Sequence, residues 1–481
     1  FDKGHRRLVA LETHLVKYQS TRGNAPVLEF GDVLLAGLAE DGGLYVPTEF
    51  PLFTTADLGS FTTMSYAEVA TRVLEPFVSP SITSDDLGAM AEESYSGFRS
   101  SDVVPIRELP TEFGANRYLV ELYWGPTFSF KDIALQLLGR LFEYELSRRS
   151  TSVTIVGATS GDTGSAAIEA CKNRDGIELV MLHPHNRVSD VQRRQMTTVG
   201  SANIHNVAIE GTFDDCQDLV KGMFADSRFR ERHRLAAVNS INWARVAAQT
   251  VYYFTSASQI AGPSQPMSFC VPTGNFGNIF AGFIASQMGL PVERLVIASN
   301  HNDILTRTHS SGVMQIEEVQ PSTSPAMDIQ VSSNFERLLF ELSNKDGRWL
   351  RAAMQTFRSQ RELELESSVL SKFRENFDAG SATEDEVDLT IKDYYLANGD
   401  FVDPHTAVGL SVIKQMTSLP GPMAVMSTAH PAKFDEIVKR ATGSAPSQPE
   451  EIAVLNDLEE KCTELPNDLS SVMDFVAKAV S

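Results

Sequence analysis

The chain has 481 residues, 42% of them hydrophobic, and 62 acidic against 41 basic side chains give it a net charge of −21. That length allows about two to four domains with sizeable cores. The acidity argues against nucleic acid or an anionic membrane as partner, because both take a basic surface, but a small anion can still be held by local N–H groups and arginines.

Residues 1–17 carry Arg6, Arg7 and Lys17 beside Asp2 and Glu12. They lack a signal-peptide pattern and read as an extension or tag-like segment. Residues 18–100 read as a separate N-terminal unit. Asp41-Gly42-Gly43 is a turn signal before a short buried strand at 44–46, and helices are expected over 66–77 and 85–95. From about residue 101 to 445 strands and helices alternate. The strands fall at 118–123, 152–156, 178–182, 205–209, 269–271, 294–299 and 424–427. The helices fall at 131–148, 163–172, 192–198, 216–225, 243–257 and 279–288. This alternation predicts an α/β fold with mostly parallel sheets covered on both faces. A helix-rich, charged insertion is expected at about 335–400, where the run from Arg358 to Glu366 reads as a solvated helix face. Polar, Pro-containing residues 444–450 lead to a C-terminal helical segment at 446–481.

The four cysteines are scattered and form no Cys-x-x-Cys pair. This argues for a reducing compartment, taken as cytoplasmic, and against disulfides or zinc. His183-Pro184-His185 has no third ligand nearby, so no metal is expected. No apolar run reaches the ~18–20 residues of a membrane span. No heptad or interface patch fixes an oligomeric state, and a monomer or small homo-oligomer is expected.

Lys131 lies in Gly125-Pro-Thr-Phe-Ser-Phe-Lys-Asp132, at a helix start and beside Phe128 and Phe130. A helix-start dipole and desolvation both favour a neutral, nucleophilic amine, as a Schiff-base lysine requires. Taken alone, the residue reads rather as a solvated first-turn lysine, since structural lysines greatly outnumber catalytic ones. Two loops add to it. Gly157-Ala-Thr-Ser-Gly-Asp-Thr-Gly164 and Pro272-Thr-Gly-Asn-Phe-Gly-Asn278 each stand between a strand and a helix, where backbone N–H groups converge on an anion. Neither matches a dinucleotide or P-loop fingerprint. A third loop, Ser427-Thr-Ala-His-Pro-Ala-Lys433, ends a strand with two hydroxyls, whose alternative role is a strand-end hydrogen bond. An amine, two anion cups and a hydroxyl suit pyridoxal 5'-phosphate and an amino-acid substrate.

Ser129-Phe-Lys-Asp132, Ala158-Thr-Ser-Gly-Asp-Thr-Gly164, Asn239-Ser-Ile-Asn-Trp-Ala-Arg245, Val271-Pro-Thr-Gly-Asn-Phe-Gly277 and Thr428-Ala-His-Pro-Ala-Lys-Phe434 resemble the threonine synthase family. So do Ser20-Thr-Arg-Gly23 and Gly42-Gly-Leu-Tyr-Val-Pro47, and the resemblance runs in order from about Tyr18 to the end. It implies two parallel α/β domains of the tryptophan-synthase-β kind (fold type II) with an added N-terminal domain. It implies conversion of O-phospho-L-homoserine and water to L-threonine and phosphate, the last step of threonine biosynthesis, by γ-elimination and β-addition of water.

The resemblance also implies residue roles. Lys131 links to the cofactor, and Gly274, Asn275, Phe276, Gly277 and Asn278 hold its phosphate. Thr428 meets the ring nitrogen and Asp162 lies near the phenolic oxygen. Thr159, Ser160 and Thr163 receive the substrate carboxylate. Asn278 stands where Asp is expected in some relatives, a change of little consequence if its N–H does the binding. For the substrate phosphate the candidate is Arg245, followed by Lys433 and Arg337; an interhelical salt bridge is the alternative for Arg245. A phospho-lyase releasing 2-oxobutyrate and a non-catalytic relative are the competing readings.

Overall fold

The computed structural model describes residues 16–416 and 421–480, so the extension read at 1–17 lies almost wholly outside the described residues. Two sheets organise the chain. The larger runs Phe377–Ser381, Val292–Ser299, Met267–Pro272, Met423–Ser427, Arg117–Glu121 and Ile106–Glu108 in spatial order. All its neighbours are parallel except the last pair. The second runs Thr463–Pro466, Ile204–Glu210, Ile177–Pro184, Val153–Ala158 and Leu235–Ala236, all parallel. Strands such as Met267–Pro272 are buried at every residue, because helices cover both faces of the sheet. The α/β reading holds, and the expected helix at 131–148 is found as Lys131–Arg149.

Three local expectations fail. The charged run does not continue as a helix face: helix Gly347–Gln360 stops at Arg361, whose φ of 58° reverses the chain, and Glu362–Glu364 forms a strand with Val313–Gln315. Phe377–Ser381, inside the helix-rich stretch, pairs with Val292–Ser299 and completes the edge of the larger sheet. The C-terminal segment is not only helical, since Thr463–Pro466 adds a strand beside Ile204–Glu210. Helix Leu469–Ala479 then buries Val472 and Val476 in one cluster with Leu219 and Met223.

In the N-terminal unit, Tyr18–Ser20 pairs antiparallel with Tyr45–Pro47. Helix Tyr66–Val78 begins at a Ser65/Glu68 capping box, which satisfies two otherwise orphaned backbone donors. The unit is joined to helix Phe335–Leu342 by a buried two-pronged ion pair. Arg22 Nη2 stands 2.8 Å from Glu336 Oε2 and Arg22 Nε 3.0 Å from Glu336 Oε1. Thr21 Oγ1 donates to the same carboxylate at 2.8 Å. Arg337, next in the helix, donates from Nε to the Tyr45 carbonyl at 3.1 Å. The Ser20–Gly23 motif is thus a clasp between the unit and helix Phe335–Leu342.

Candidate active site

Four of the parallel strands end in the loops of interest, at the carboxyl edge where ligands meet open α/β sheets. These loops follow Glu121, Ala158, Pro272 and Ser427. The segment before Lys131 is held by the carboxylate of Asp132, which accepts the backbone N–H and the hydroxyl of Thr127, both at 2.8 Å. Burial pushes the Asp132 carboxyl up to about 6, against the pull of those Thr127 bonds. Backbone rungs tie this segment to the third loop: Phe130 N–H donates to the Thr428 carbonyl at 2.9 Å and His430 N–H to the Phe128 carbonyl at 3.1 Å. Residues nearly 300 positions apart in sequence are therefore fixed side by side.

Lys131 is 8% exposed. Its Nζ lies 3.5 Å from Asp162 Oδ2 and 4.7 Å from the centre of the Phe130 ring. Burial lowers its affinity for a proton; Asp162 opposes the shift, and Lys433 and Arg245 reinforce it. Asp162 opens helix Asp162–Cys171. Its Oδ1 takes Lys433 Nζ at 2.7 Å and Gln192 Nε2 at 2.8 Å. Burial favours the neutral acid, yet Lys433 and then Lys131 outweigh it and hold the carboxyl far below its ordinary range.

The 157–164 loop is built on Thr159. Its buried hydroxyl oxygen accepts the N–H groups of Gly161 at 3.0 Å and Gly164 at 2.8 Å. Thr159 therefore shapes the cup through the lone pairs of its hydroxyl oxygen, bonds that do not use its O–H proton, while Ser160 and Thr163 are half-buried. In the 272–278 loop, Phe276 adopts φ 63° immediately before helix Gly277–Gln287. Gly274 is required by close approach: a Cβ there would stand 2.7 Å from the Ala326 carbonyl oxygen. Asn275 O accepts the backbone and side-chain N–H of Asn334, each at 3.1 Å. The Asn278 side chain is drawn to helix Trp243–Ile260, where its Oδ1 accepts Tyr252 and Tyr253 hydroxyls at 2.7 and 2.8 Å. Its side chain thus anchors the helix, and its Nδ2 is buried without a partner among the described residues. Thr428 is 5% exposed, and its N–H donates to Thr406 Oγ1 at 3.2 Å.

The three phosphate-clamp candidates separate cleanly. Arg337 has all its guanidinium nitrogens engaged, by the Tyr45 and Ile241 carbonyls and Asn334 Oδ1, and serves as a staple. Lys433 is fully buried between Asp162 and the Thr127 carbonyl. Arg245, near enough to Lys131 to disfavour its charge, donates from Nη1 to the Val238 carbonyl at 2.9 Å and leaves Nε buried without a partner among the described residues. Burial lowers its guanidinium to about 10. The expected alternative, a salt bridge for Arg245, is absent among the described residues. A buried cation with a spare donor calls for an anion. Together with the glycine-lined loop and the desolvated amine, it fits pyridoxal phosphate and a phosphorylated amino acid.

Nothing in the sequence assigns a role to Gln192 or Asn334, or to Thr127 and Asp132 within the Lys131 motif. Each works by holding a loop rather than by belonging to one of the glycine-rich turns. His183 lies 3.6 Å from Cys462 Sγ, and no group of three His, Cys, Asp or Glu among the described residues could hold a metal ion.

Comparison with known proteins shows the family. Family models match along the chain: "Threonine synthase N terminus" over 17–95, "Pyridoxal-phosphate dependent enzyme" over 96–372 and "Threonine synthase, C-terminal" over 406–476. A threonine synthase from Pseudomonas aeruginosa is 49% identical over 465 residues, spanning 96% of this chain and 98% of that protein. The crystal structure of a PLP-bound threonine synthase from Brucella melitensis superposes with a TM-score of 0.93 at 48% identity, covering 97% of this chain and 99% of that one. The yeast threonine synthase structure gives 0.91 at 36% identity, covering 98% and 99%. The chain belongs to the threonine synthase family of pyridoxal-phosphate-dependent enzymes.

Proposed function

We propose that the chain converts O-phospho-L-homoserine and water to L-threonine and inorganic phosphate, with Lys131 as the lysine that carries the cofactor. The observation that carries this reading is the setting of Lys131: a buried amine, 3.5 Å from one carboxylate, bridged by backbone to Thr428 and flanked by the loops at 157–164 and 272–278. When bound, the cofactor supplies an aldehyde for an amine and a ring that withdraws electrons from the carbon beside it.

The residues divide the remaining work. Backbone N–H groups of Gly274, Asn275, Phe276, Gly277 and Asn278 would hold the cofactor phosphate at a helix start. The Thr428 hydroxyl would meet the ring nitrogen, and a hydroxyl there supplies no formal proton, which keeps the ring a milder electron sink than an acid would. Asp162 would lie beside the phenolic oxygen. Thr159, Ser160 and Thr163 receive the substrate carboxylate in the cup that Thr159 also shapes, so that the reacting carbons are positioned.

Lys131 Nζ, released when the substrate amine takes its place, removes the α-proton, and Asp162 steadies the ammonium that results. A proton leaves the β-carbon and phosphate departs from the γ-carbon, with Arg245 offsetting its charge. A proton returns at the γ-carbon, a water hydroxyl adds at the β-carbon while the proton that water gives up goes to the departed phosphate, and a proton returns at the α-carbon. The atoms then balance as threonine and phosphate. The setting we propose is cytoplasmic: Cys171, Cys216 and Cys270 are free and buried. No helix among the described residues is long and apolar enough to cross a membrane.

Incubation of the purified, cofactor-loaded chain with O-phospho-L-homoserine tests the proposal. Threonine and phosphate in equal amounts are expected. Release of phosphate with 2-oxobutyrate and no threonine would identify a phospho-lyase instead.

A further inference from the structure

Asp162 is surrounded by more positive charge than Lys131 alone would bring. Lys433 Nζ stands 2.7 Å from Oδ1, while Lys131 Nζ stands 3.5 Å from Oδ2. Lys433 is wholly buried, and its second bond, 2.8 Å to the Thr127 carbonyl, fixes it on the segment that leads to Lys131. Gln192 fills a further position on Oδ1 at 2.8 Å. One side chain thus joins the Lys131 segment, the start of helix Asp162–Cys171 and the loop after Met423–Ser427.

The consequence is a matter of charge balance. A buried carboxylate needs a counter-ion. Were Lys131 the only cation at Asp162, the pair would hold a proton on Lys131 and oppose its use as a nucleophile and base. With Lys433 in place, Asp162 is neutralised whether Lys131 is protonated or not. Among the described residues, the other titratable groups facing this cluster are Arg245, which also disfavours charge on Lys131, Asp132, whose carboxylate is occupied by Thr127, and His430, whose proton affinity is lowered by burial and, in smaller part, by Lys433. We propose that Lys433 is a positioning residue for the reaction: it is the standing counter-ion of Asp162, and so leaves the Lys131 amine free to give up its proton. This rests on the reading of Lys131 as the cofactor lysine.

The test measures Lys131 directly. The full-length chain, freed of cofactor, is labelled with a small amine-reactive reagent across a pH series, and labelling at Lys131 is followed by peptide mass spectrometry. In Lys433→Met the labelling midpoint should rise by about one unit, roughly tenfold slower labelling below the midpoint. In Lys433→Met/Asp162→Asn it should return close to that of the unmodified chain. An unmoved midpoint in folded Lys433→Met overturns the proposal. Should that variant not fold, Asp162→Asn is compared with the double variant. The former leaves Lys433 uncompensated beside Lys131 and should show the lower midpoint; equal midpoints overturn the proposal. Borohydride reduction of the loaded, unmodified chain separates the underlying reading, because a pyridoxyl group on another lysine removes Lys131 from its role without altering the measured coupling.

Discussion

Asn334 donates its side-chain amide to the carbonyl of Asn275 at 3.1 Å, and its own carbonyl oxygen accepts a hydrogen bond from Arg337. The neighbouring Ser332 and Ser333 hydroxyls reach Gly274 O and Asn275 Oδ1. The proposed phosphate cup is therefore held from outside by the start of helix Phe335–Leu342, which the N-terminal unit grips through Arg22 and Glu336. The added domain has a physical connection to the site although it contributes none of the proposed cofactor contacts.

Asn334→Ala removes the side-chain part of that connection, keeping the Asn334 backbone bond and the two serine hydroxyls, and leaves a buried guanidinium short of an acceptor. The expected cost is about 1–3 kcal/mol in urea unfolding, together with faster loss of cofactor absorbance on dilution. A stable variant that retains cofactor as tightly as the unmodified chain would show that the cup stands without this support.

Arg245→Ala separates a functional arginine from a structural one. If the guanidinium meets the substrate phosphate, KM for O-phospho-L-homoserine rises and kcat/KM falls by at least tenfold, about 1.4 kcal/mol or more. Thermal stability should change little, because an uncompensated buried charge is removed along with its bond to Val238. A drop in stability with unaltered KM would assign Arg245 to packing alone.

Much of this was legible in the chain itself. Lys131 and the glycine-rich turns could be found because the chemistry is local there: a helix start, a strand end, a run of small residues. The alternating strands were legible because segments such as Met267–Pro272 and Val153–Ala158 are compact apolar runs. Phe377–Ser381 was missed because Phe-Asp-Ala-Gly-Ser lacks the β-branched signature and owes its place to its neighbour in the sheet. Thr463–Pro466 was missed because it is short, polar and mostly exposed. Gln192 and Asn334 were silent for another reason. Their partners lie 30 and 59 positions away, and a lone amide side chain gives no periodicity or spacing to read.

Glu341 sets a pH dependence of stability away from the site. Burial pushes its carboxyl up to about 7, with Lys345 pulling the other way, and its Oε1 has no hydrogen-bond partner among the described residues. Because the folded value lies above the ordinary 4.5, the folded chain binds the proton more tightly than the unfolded one. Stability from this group is full at low pH and is lost as pH rises through about 7. Glu341→Gln should therefore be more stable than the unmodified chain at pH 8, by about 1–3 kcal/mol, with the advantage shrinking by pH 6. Parallel urea curves at both pH values check this, and a constant difference would contradict it.

Gly161→Ala tests the carboxylate cup. Gly161 has φ 140°, and a Cβ there would meet the Gln192 side chain at 2.4 Å. The backbone conformation disfavours any L side chain, and the displaced Gln192 loses its bond to Asp162. Activity should fall by at least tenfold, and stability by about 1–3 kcal/mol. Full activity in this variant would mean that the loop geometry is not needed for turnover.

The proposed chemistry requires the cofactor on Lys131, although Lys131 and Lys433 flank the same carboxylate. Borohydride reduction of the cofactor-loaded chain, followed by peptide mapping, decides it. The predicted result is one pyridoxyl group per chain, on Lys131, with neither the group nor turnover in Lys131→Ala. A pyridoxyl group on Lys433 or any other lysine, or turnover retained in Lys131→Ala, would contradict the account.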